Sequence, residues 1–460
     1  MEQVVLLEDG EAAEVVEARR AARRAEREAA QDEATPRLVE PNRKQIELRP
    51  QDLESLLPPC HRARAIWAVV ERLDVSRFYE PLKARGSRAG RAATDPRVLV
   101  ALWLYATSEG IGSAHELDRL CSYHDAYRWL RGGVPVNYHT LSDFRTAHEP
   151  ALDELFTQVL AVMTQQGLVS LQRVAQDGMR VRASAGASSF RRRGRLEDFL
   201  QAAREQVEAV KQQSQAEVDT QRSARQQKAQ QRAAQHRAER IEQALAELAK
   251  IEQQRAEERG GHKAKGEPRA STTDAEARKM KMADGGFRPA YNAQLATDTE
   301  SRVIVGVGLT EQGTDYAQAA PMVDQIERRT GTKPEELLVD GGFIAKDSVD
   351  DVTEKEVTLY GPVPERKHNP DPYAVKPTDS DAVRRWKERM ATEEARLIYR
   401  ERAATAETVN GDLRAWRSLD RFLVRGKRKV LCVLLWNALT YTILRWMALA
   451  PGVLVPNGAS

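Results

Sequence analysis

Residues 172–195 read QRVAQDGMRVRASAGASSFRRRGR. Val174 and Ala175 read as β-strand with Asp177 at its end, and residues 172–182 together make the strand segment. After the aspartate come Arg180, Arg182, Arg191, Arg192, Arg193 and Arg195, with no carboxylate until Glu197. A strand running into a solvated loop accounts for this pattern. So does a metal-binding carboxylate beside a phosphate track, and acids farther along the chain must separate the two accounts.

Beyond this stretch the periodicity changes. From Leu196 to Arg259 there is no Pro and no Gly. Apolar residues recur in steps of three and four at Leu196, Leu200, Ala203, Val207 and Val210, and again at Ile241, Leu245, Leu248 and Ile251, which is a helical seam. Either a helical hairpin turning near Asp219–Ser223 or one helix of about 95 Å would present these stripes. At residues 271–310 the period drops to two. Tyr291, Ala293 and Leu295, then Val303, Val305 and Val307, alternate with polar residues around a turn at Thr297–Ser301, which predicts a β-hairpin. A helix over Asp315–Arg329, a buried strand over Glu336–Asp340 closed by Gly341-Gly342, a strand at Glu356–Tyr360 and a long helix over Ala382–Trp416 follow. An antiparallel hairpin plus strands joined through helices predicts an α/β fold with a mixed sheet flanked by helices.

Upstream, residues 53–168 are helical. Thr94-Asp95-Pro96 starts one helix, Ser113 with Glu116 forms a capping box, and Thr140 could cap the helix in NYHTLSDFRTAH (137–148). Short helices with tight turns suit a DNA reader and equally an ordinary bundle. Residues 1–45 form a charged, alanine-rich extension with no apolar stripe, and its lack of a long apolar core excludes a secretory signal there. The chain of 460 residues accommodates two or three domains, and 41% hydrophobic residues supply their cores. A net charge of +3 does not announce nucleic-acid binding, but the basic clusters at Lys83–Arg91 and Arg421–Val430 are the usual footprint of a phosphate-binding face, and equally of a solvated surface. Cys60, Cys121 and Cys432 have no CxxC spacing, so neither a disulfide framework nor a zinc site is supported, and a cytoplasmic setting is expected. Leu431–Ala450 is long enough to span a membrane, but it contains Asn437 and Arg445 and reads as a buried core helix.

Asp177 and Asp340 each end a strand, where the side chains of an open α/β sheet face a shared crevice. Two aspartates brought together repel unless a cation stands between them, and Mg²⁺ takes a few carboxylates with water and phosphate oxygens. Glu407, in YRERAATAETVNGDLR (399–414), is the third acid. Tyr399, Glu407 and Arg414 recur at close to whole helical turns and share a face, with Asn410 and Gly411 beside it.

The segments VAQDGMRVRASA, STTDAEARKMKMADGGFRPAYNAQLATDTES, LLVDGGF and YRERAATAETVNGDLR, with RFLVRGKRKV after them, resemble the motifs of bacterial insertion-sequence DDE transposases. They are most similar to the IS-eleven-eighty-two branch of the IS-five superfamily. ATDPRVLVALWLYATSEGIGSAHELDRLCSYHDAYRWLRGG and TLSDFRTAH resemble that family's helical domain, and the similarity runs from residue 45 to 447. The resemblance implies a ribonuclease-H-like catalytic domain formed by 169–182 and 290–450. It implies a coiled-coil insertion with a basic loop at 183–289, an all-α DNA-binding domain at 46–168, and a tail at 451–460. It maps the family's metal-binding catalytic acids onto Asp177, Asp340 and Glu407, with Asp177 bridging two Mg²⁺ (or Mn²⁺) ions about 3.5–4 Å apart. Related transposases carry a Tyr–Arg–Glu–Lys signature. Tyr399 and Arg402 meet it, Glu407 falls one residue late, and Arg414 replaces the Lys. Arg191, Arg192, Arg193, Arg402, Arg414, Arg425, Lys427, Arg428 and Lys429 would contact double-stranded DNA. The implied reaction is strand cleavage followed by strand transfer, by a homo-oligomer without membrane association. A transposase-derived DNA binder without catalysis is the alternative, and a purely structural coiled-coil protein would leave the order of the acids unexplained.

Overall fold

Contacts divide the chain into two units, Met1–Gln51 and Asp52–Ser460. The computed structural model describes residues 9–32, 44, 50–86, 92–216, 221–257, 266–365 and 371–451. In the first unit Asp9–Asp32 is a single helix, α1, whose described side chains are all exposed. The rest of the charged extension at 1–45, apart from residue 44, and nearly all of the tail at 451–460 lie outside the described residues.

The second unit opens with helices α2 (Arg62–Arg72), α3 (Ser76–Tyr79), α4 (Pro96–Ser108), α5 (Ala114–Tyr123), α6 (Asp125–Arg131), α7 (Tyr138–Ala147) and α8 (Glu149–Gln165). Local chemistry sets their starts. The Asp95 carboxylate accepts the Arg97 N–H and Pro96 fills the first position of α4. Ser113 accepts the Glu116 N–H of α5. At α7 the cap is Asn137 rather than Thr140: the Asn137 side-chain oxygen accepts the Thr140 N–H at 3.0 Å, so the helix starts at Tyr138.

The sheet is built on β1 (Arg173–Arg182). The remaining strands of this unit are β2 (Phe190–Arg191), β3 (Ala270–Ser271), β4 (Arg278–Lys281), β5 (Phe287–Asp298), β6 (Ile304–Thr310), β7 (Glu336–Leu338) and β8 (Thr358–Tyr360). The main sheet runs β4-β5-β1-β7-β8 with β6 on β5, and β2 pairs β3 separately. β5 and β6 form the expected antiparallel hairpin. β5 pairs antiparallel with β1 from Val174↔Asp298 to Arg182↔Ala290. β7 pairs parallel with β1 only from Arg173↔Glu336 to Ala175↔Leu338. This corrects the expectation for Asp177, which does not end its strand. The parallel partner stops opposite Ala175, but β5 carries the strand on to Arg182, leaving Asp177 in mid-strand just beyond the parallel pairing.

Between β2 and β3 lie α9 (Arg193–Ala216) and α10 (Gln221–Glu257). The turn expected near Asp219–Ser223 falls partly outside the described residues. The two helices pack antiparallel: Arg193 meets Glu252, Arg204 meets Glu242 and Gln206 accepts from Arg237, so partners descend along one helix as they ascend along the other. Leu196, Ala203, Ile241, Ala244 and Leu248 form their own buried cluster. Leu248 is fully buried. Leu248→Ala is expected to cost about 2–5 kcal/mol locally. Hydrogen exchange should show protection lost in α9 and α10 and retained in β1 and β5.

α11 (Ala319–Thr330), α12 (Lys346–Glu354), α13 (Asp381–Met390), α14 (Glu393–Trp416) and α15 (Lys427–Leu449) complete the layers. The single helix expected over Ala382–Trp416 is two, because Thr392 breaks off and caps α14 by accepting the Ala395 N–H at 3.2 Å. α15 is long and apolar enough to cross a membrane by length and composition, yet its apolar window is 78% buried within the protein. It packs on α8, α4, α7 and β6. Trp436 Nε1 donates to the Arg145 carbonyl at 3.1 Å and Trp446 Nε1 to Gln166 at 2.8 Å. Arg445 donates to the Ser301 carbonyl. These bonds join the helical segment and the sheet into one core.

Candidate active site

β1 and β7 lie side by side and parallel, so the residues beyond their pairing share one crevice. Asp177 comes from β1. Asp340 comes from the turn after β7, where its Oδ1 accepts the Gly342 N–H at 2.8 Å and fixes the turn. α14 lies across this crevice and is anchored by Arg173, which bonds Glu336 at 2.6 Å and Glu401 at 2.7 Å. Tyr360 adds a hydroxyl donor to Glu336 at 3.0 Å. One arginine thus ties β1, β7 and α14 together.

The Asp177 side chain is 19% exposed, and Arg402 Nη1 stands 3.7 Å from its Oδ1. Asn410 Nδ2 donates to its Oδ2 at 2.8 Å. Burial pushes the Asp177 carboxyl up to about 6; the Arg402 charge opposes the shift, whereas Asp340 and Asp315 add to it. The Asp340 charge disfavours ionisation of Asp177, and the two carboxylates offer the hard oxygen donors that Mg²⁺ or Mn²⁺ takes. Burial also raises the Tyr399 phenol, against the pull of Arg402, whose guanidinium lies 5.9 Å from the ring centroid.

The structure brings Asp177 and Asp340 within reach of each other's charge, and Glu407 lies on α14, the helix that contributes Asn410 to Asp177. Glu407 is exposed. It lies about 60° around α14 from Asn410, the residue that touches Asp177. Among the described residues no three His, Cys, Asp or Glu side chains stand in metal-holding geometry.

The basic residues singled out in the sequence are mostly engaged within the chain. Arg191 donates to the Phe190 carbonyl at 3.2 Å, Arg192 meets Glu267 at 3.0 Å, and Arg193 meets Glu252 and Glu197. Arg425 donates to the Ser184 carbonyl at 3.2 Å, Lys427 meets Glu311 at 2.8 Å, Arg428 meets Glu149 at 3.5 Å, and Lys429 is exposed. Surface pairs of this kind contribute little to stability. Part of the Lys83–Arg91 cluster, residues 87–91, lies outside the described residues. A cleft of about 390 Å³ beside Asp177 is lined by Gly178, Arg180, Arg182, Arg288 and Arg414, with Asp284 and Asp420. Arg182 pairs with Asp420 at 2.8 Å and Arg288 with Asp284 at 2.7 Å. Among the described residues Arg414 makes one long bond, 3.4 Å, to the Arg180 carbonyl. Arg288 and Asp315 carry no sequence motif that would have marked them.

Two family models match the chain: a transposase DDE domain over residues 256–443 and a transposase domain (DUF772) over residues 51–147. The chain belongs to the DDE transposases. No curated protein and no solved structure matches it. In this transposase the DDE-domain match contains Asp340 and Glu407 together with the β5–β6 hairpin, while Asp177 lies ahead of it. The DUF772 match spans α2 to α7.

Proposed function

We propose that this transposase cuts DNA strands at the ends of an insertion sequence and joins the freed 3′-OH to target DNA by metal-dependent phosphoryl transfer. The observation that carries the reading is the approach of Asp177 and Asp340 past adjacent parallel strands, in a chain matched by the transposase DDE domain. The mixed α/β sheet with flanking helices fits a ribonuclease-H-like core. α9 and α10 then form a coiled-coil insertion, and α2–α8 a DNA-binding helical domain. Asp177 and Asp340 would hold the cation, with Glu407 as the third acid. When bound, Mg²⁺ or Mn²⁺ polarises the phosphoryl oxygen and lowers the pKa of the attacking hydroxyl.

The chain's own groups do the rest. Asn410 orients one oxygen of Asp177 and Arg402 balances the charge on the other. The arginines of the cleft beside Asp177 neutralise backbone phosphates. Two element ends must be held at once, so a homo-oligomer acts, and the cytoplasm supplies its DNA.

The test is incubation of the full chain with duplex carrying the inverted repeats that flank its gene, with and without Mg²⁺. Nicks at the repeat ends that require the cation are expected. Binding without cleavage in either Mg²⁺ or Mn²⁺ would leave a DNA-binding derivative instead. Arg414→Ala should weaken duplex binding evenly across sequences and reduce the slope of log K against log salt by about 1. A gel-shift series over salt concentration reads both effects.

A further inference from the structure

Asp315 lies in the loop between β6 and α11 and is 6% exposed. It was expected to open a helix, but α11 begins at Ala319. Its Oδ1 accepts Asn292 Nδ2 at 2.7 Å and Gln294 Nε2 at 2.6 Å, both from fully buried β5 amides. The carboxylate therefore has no freedom to turn. Its two oxygens meet the two glycines that follow the catalytic aspartates. A Cβ on Gly178 would fall 1.9 Å from Asp315 Oδ1, and a Cβ on Gly342 would fall 3.3 Å from Asp315 Oδ2 and 3.0 Å from Asp340 Oδ1. One side chain thus spans the β1 residue after Asp177 and the turn that carries Asp340.

We propose that Asp315 is a positioning residue for the divalent-cation site: it sets the spacing between Asp177 and Asp340 from beneath and adds a fixed negative charge behind both. This inference rests on the metal-dependent reading above. Its physical basis is twofold. The glycines lack side chains where the carboxylate sits, so the two aspartate-bearing segments close onto it. Asp340 and Asp315 both bear on Asp177 as negative charges, opposed by Arg402, and grouped carboxylates of this kind are what a divalent cation neutralises. Groups behind a metal's ligands commonly alter affinity by 10–100-fold when removed.

The experiment measures Mn²⁺ binding to the full chain by the loss of the free-ion paramagnetic resonance signal, alongside thermal unfolding with and without Mn²⁺. Wild type, Asp340→Asn, Asp315→Asn and Asn292→Ala are compared. Asp340→Asn identifies the site by losing it. Asp315→Asn is expected to weaken Mn²⁺ binding about tenfold and to reduce the Mn²⁺-induced rise in Tm. Asn292→Ala removes one donor to Asp315 and also the Asn292 Oδ1, a buried acceptor without a partner. It should therefore fold, and should weaken binding by a smaller factor. Folded Asp315→Asn with wild-type Mn²⁺ affinity would overturn the inference. Should Asp315→Asn fail to fold, wild-type affinity in Asn292→Ala would overturn it equally. A wild-type chain that binds no Mn²⁺ at all would instead remove the metal-dependent reading and this inference with it.

Discussion

Asp177→Asn is expected to make the metal-free protein more stable at neutral pH, by on the order of 2 kcal/mol, while lowering strand cleavage by about a thousandfold or more. The Asp177 carboxyl rises from 3.8 to about 6 on folding, chiefly through burial. Below about pH 4 both folded and unfolded chains hold the proton, and the site carries no penalty. Between pH 4 and 6 the unfolded chain releases its proton first, so folding loses stability as pH rises, and above 6 the full penalty is present. One pKa unit corresponds to about 1.4 kcal/mol, and the residual exposure of the side chain discounts the total. An asparagine never ionises and keeps an oxygen for the Asn410 donor. Urea titrations of both proteins from pH 4 to 7 without metal should show a falling stability difference in the wild type that the variant lacks. Parallel pH curves would refute the assignment of this carboxyl. Duplex binding should survive in the variant, because the cleft arginines are untouched.

Gly178→Ala is expected to destabilise the fold by about 3 kcal/mol, the upper end of the range for overpacking. The added methyl would fall 1.9 Å from Asp315 Oδ1, 2.6 Å from Asp315 Cγ and 2.7 Å from Gln294 Nε2. None of these can move aside, because Asp315 is held by two buried amides and Gln294 is itself buried. Gly342→Ala is the internal comparison. Its nearest neighbours would be 3.0 and 3.3 Å away, and one of them, Asp340, stands in an exposed turn. Thermal melts should therefore order the proteins as wild type, Gly342→Ala, Gly178→Ala. Equal melting of the two variants would mean that Asp315 yields.

What local chemistry dictates was legible in the sequence. The Asp95-Pro96 and Ser113 helix starts, the alternating β5–β6 hairpin and the burial of α15 all follow from patterns within a few residues. What depends on distant partners was not. Asp177 reads as a strand end because its apolar neighbours stop there, whereas the strand is continued by pairing with β5, more than a hundred positions away. Asp315 reads as a helix start because acids are common there, whereas its actual partners are Asn292 and Gln294 on another strand. The arginines of 191–193 read as a free basic tract, yet two of their partners, Glu252 and Glu267, enter only when the chain returns from α10. Asp177 and Asp340 were legible as a pair because both follow apolar strand residues and precede glycine. The position of Glu407 relative to them depends on the rotation of α14, which no local pattern sets.

The chain leaves the sheet and returns to it at adjoining points. Phe190 pairs with Ser271, and the Ser189 and Ser271 hydroxyls lie 2.7 Å apart. Everything between them is a cassette of about eighty residues whose two ends are already clasped, and the entropy of closing such a loop grows only slowly with its length. The arm can therefore lengthen, shorten or be exchanged over evolutionary time while the strand bearing Asp177 keeps its register.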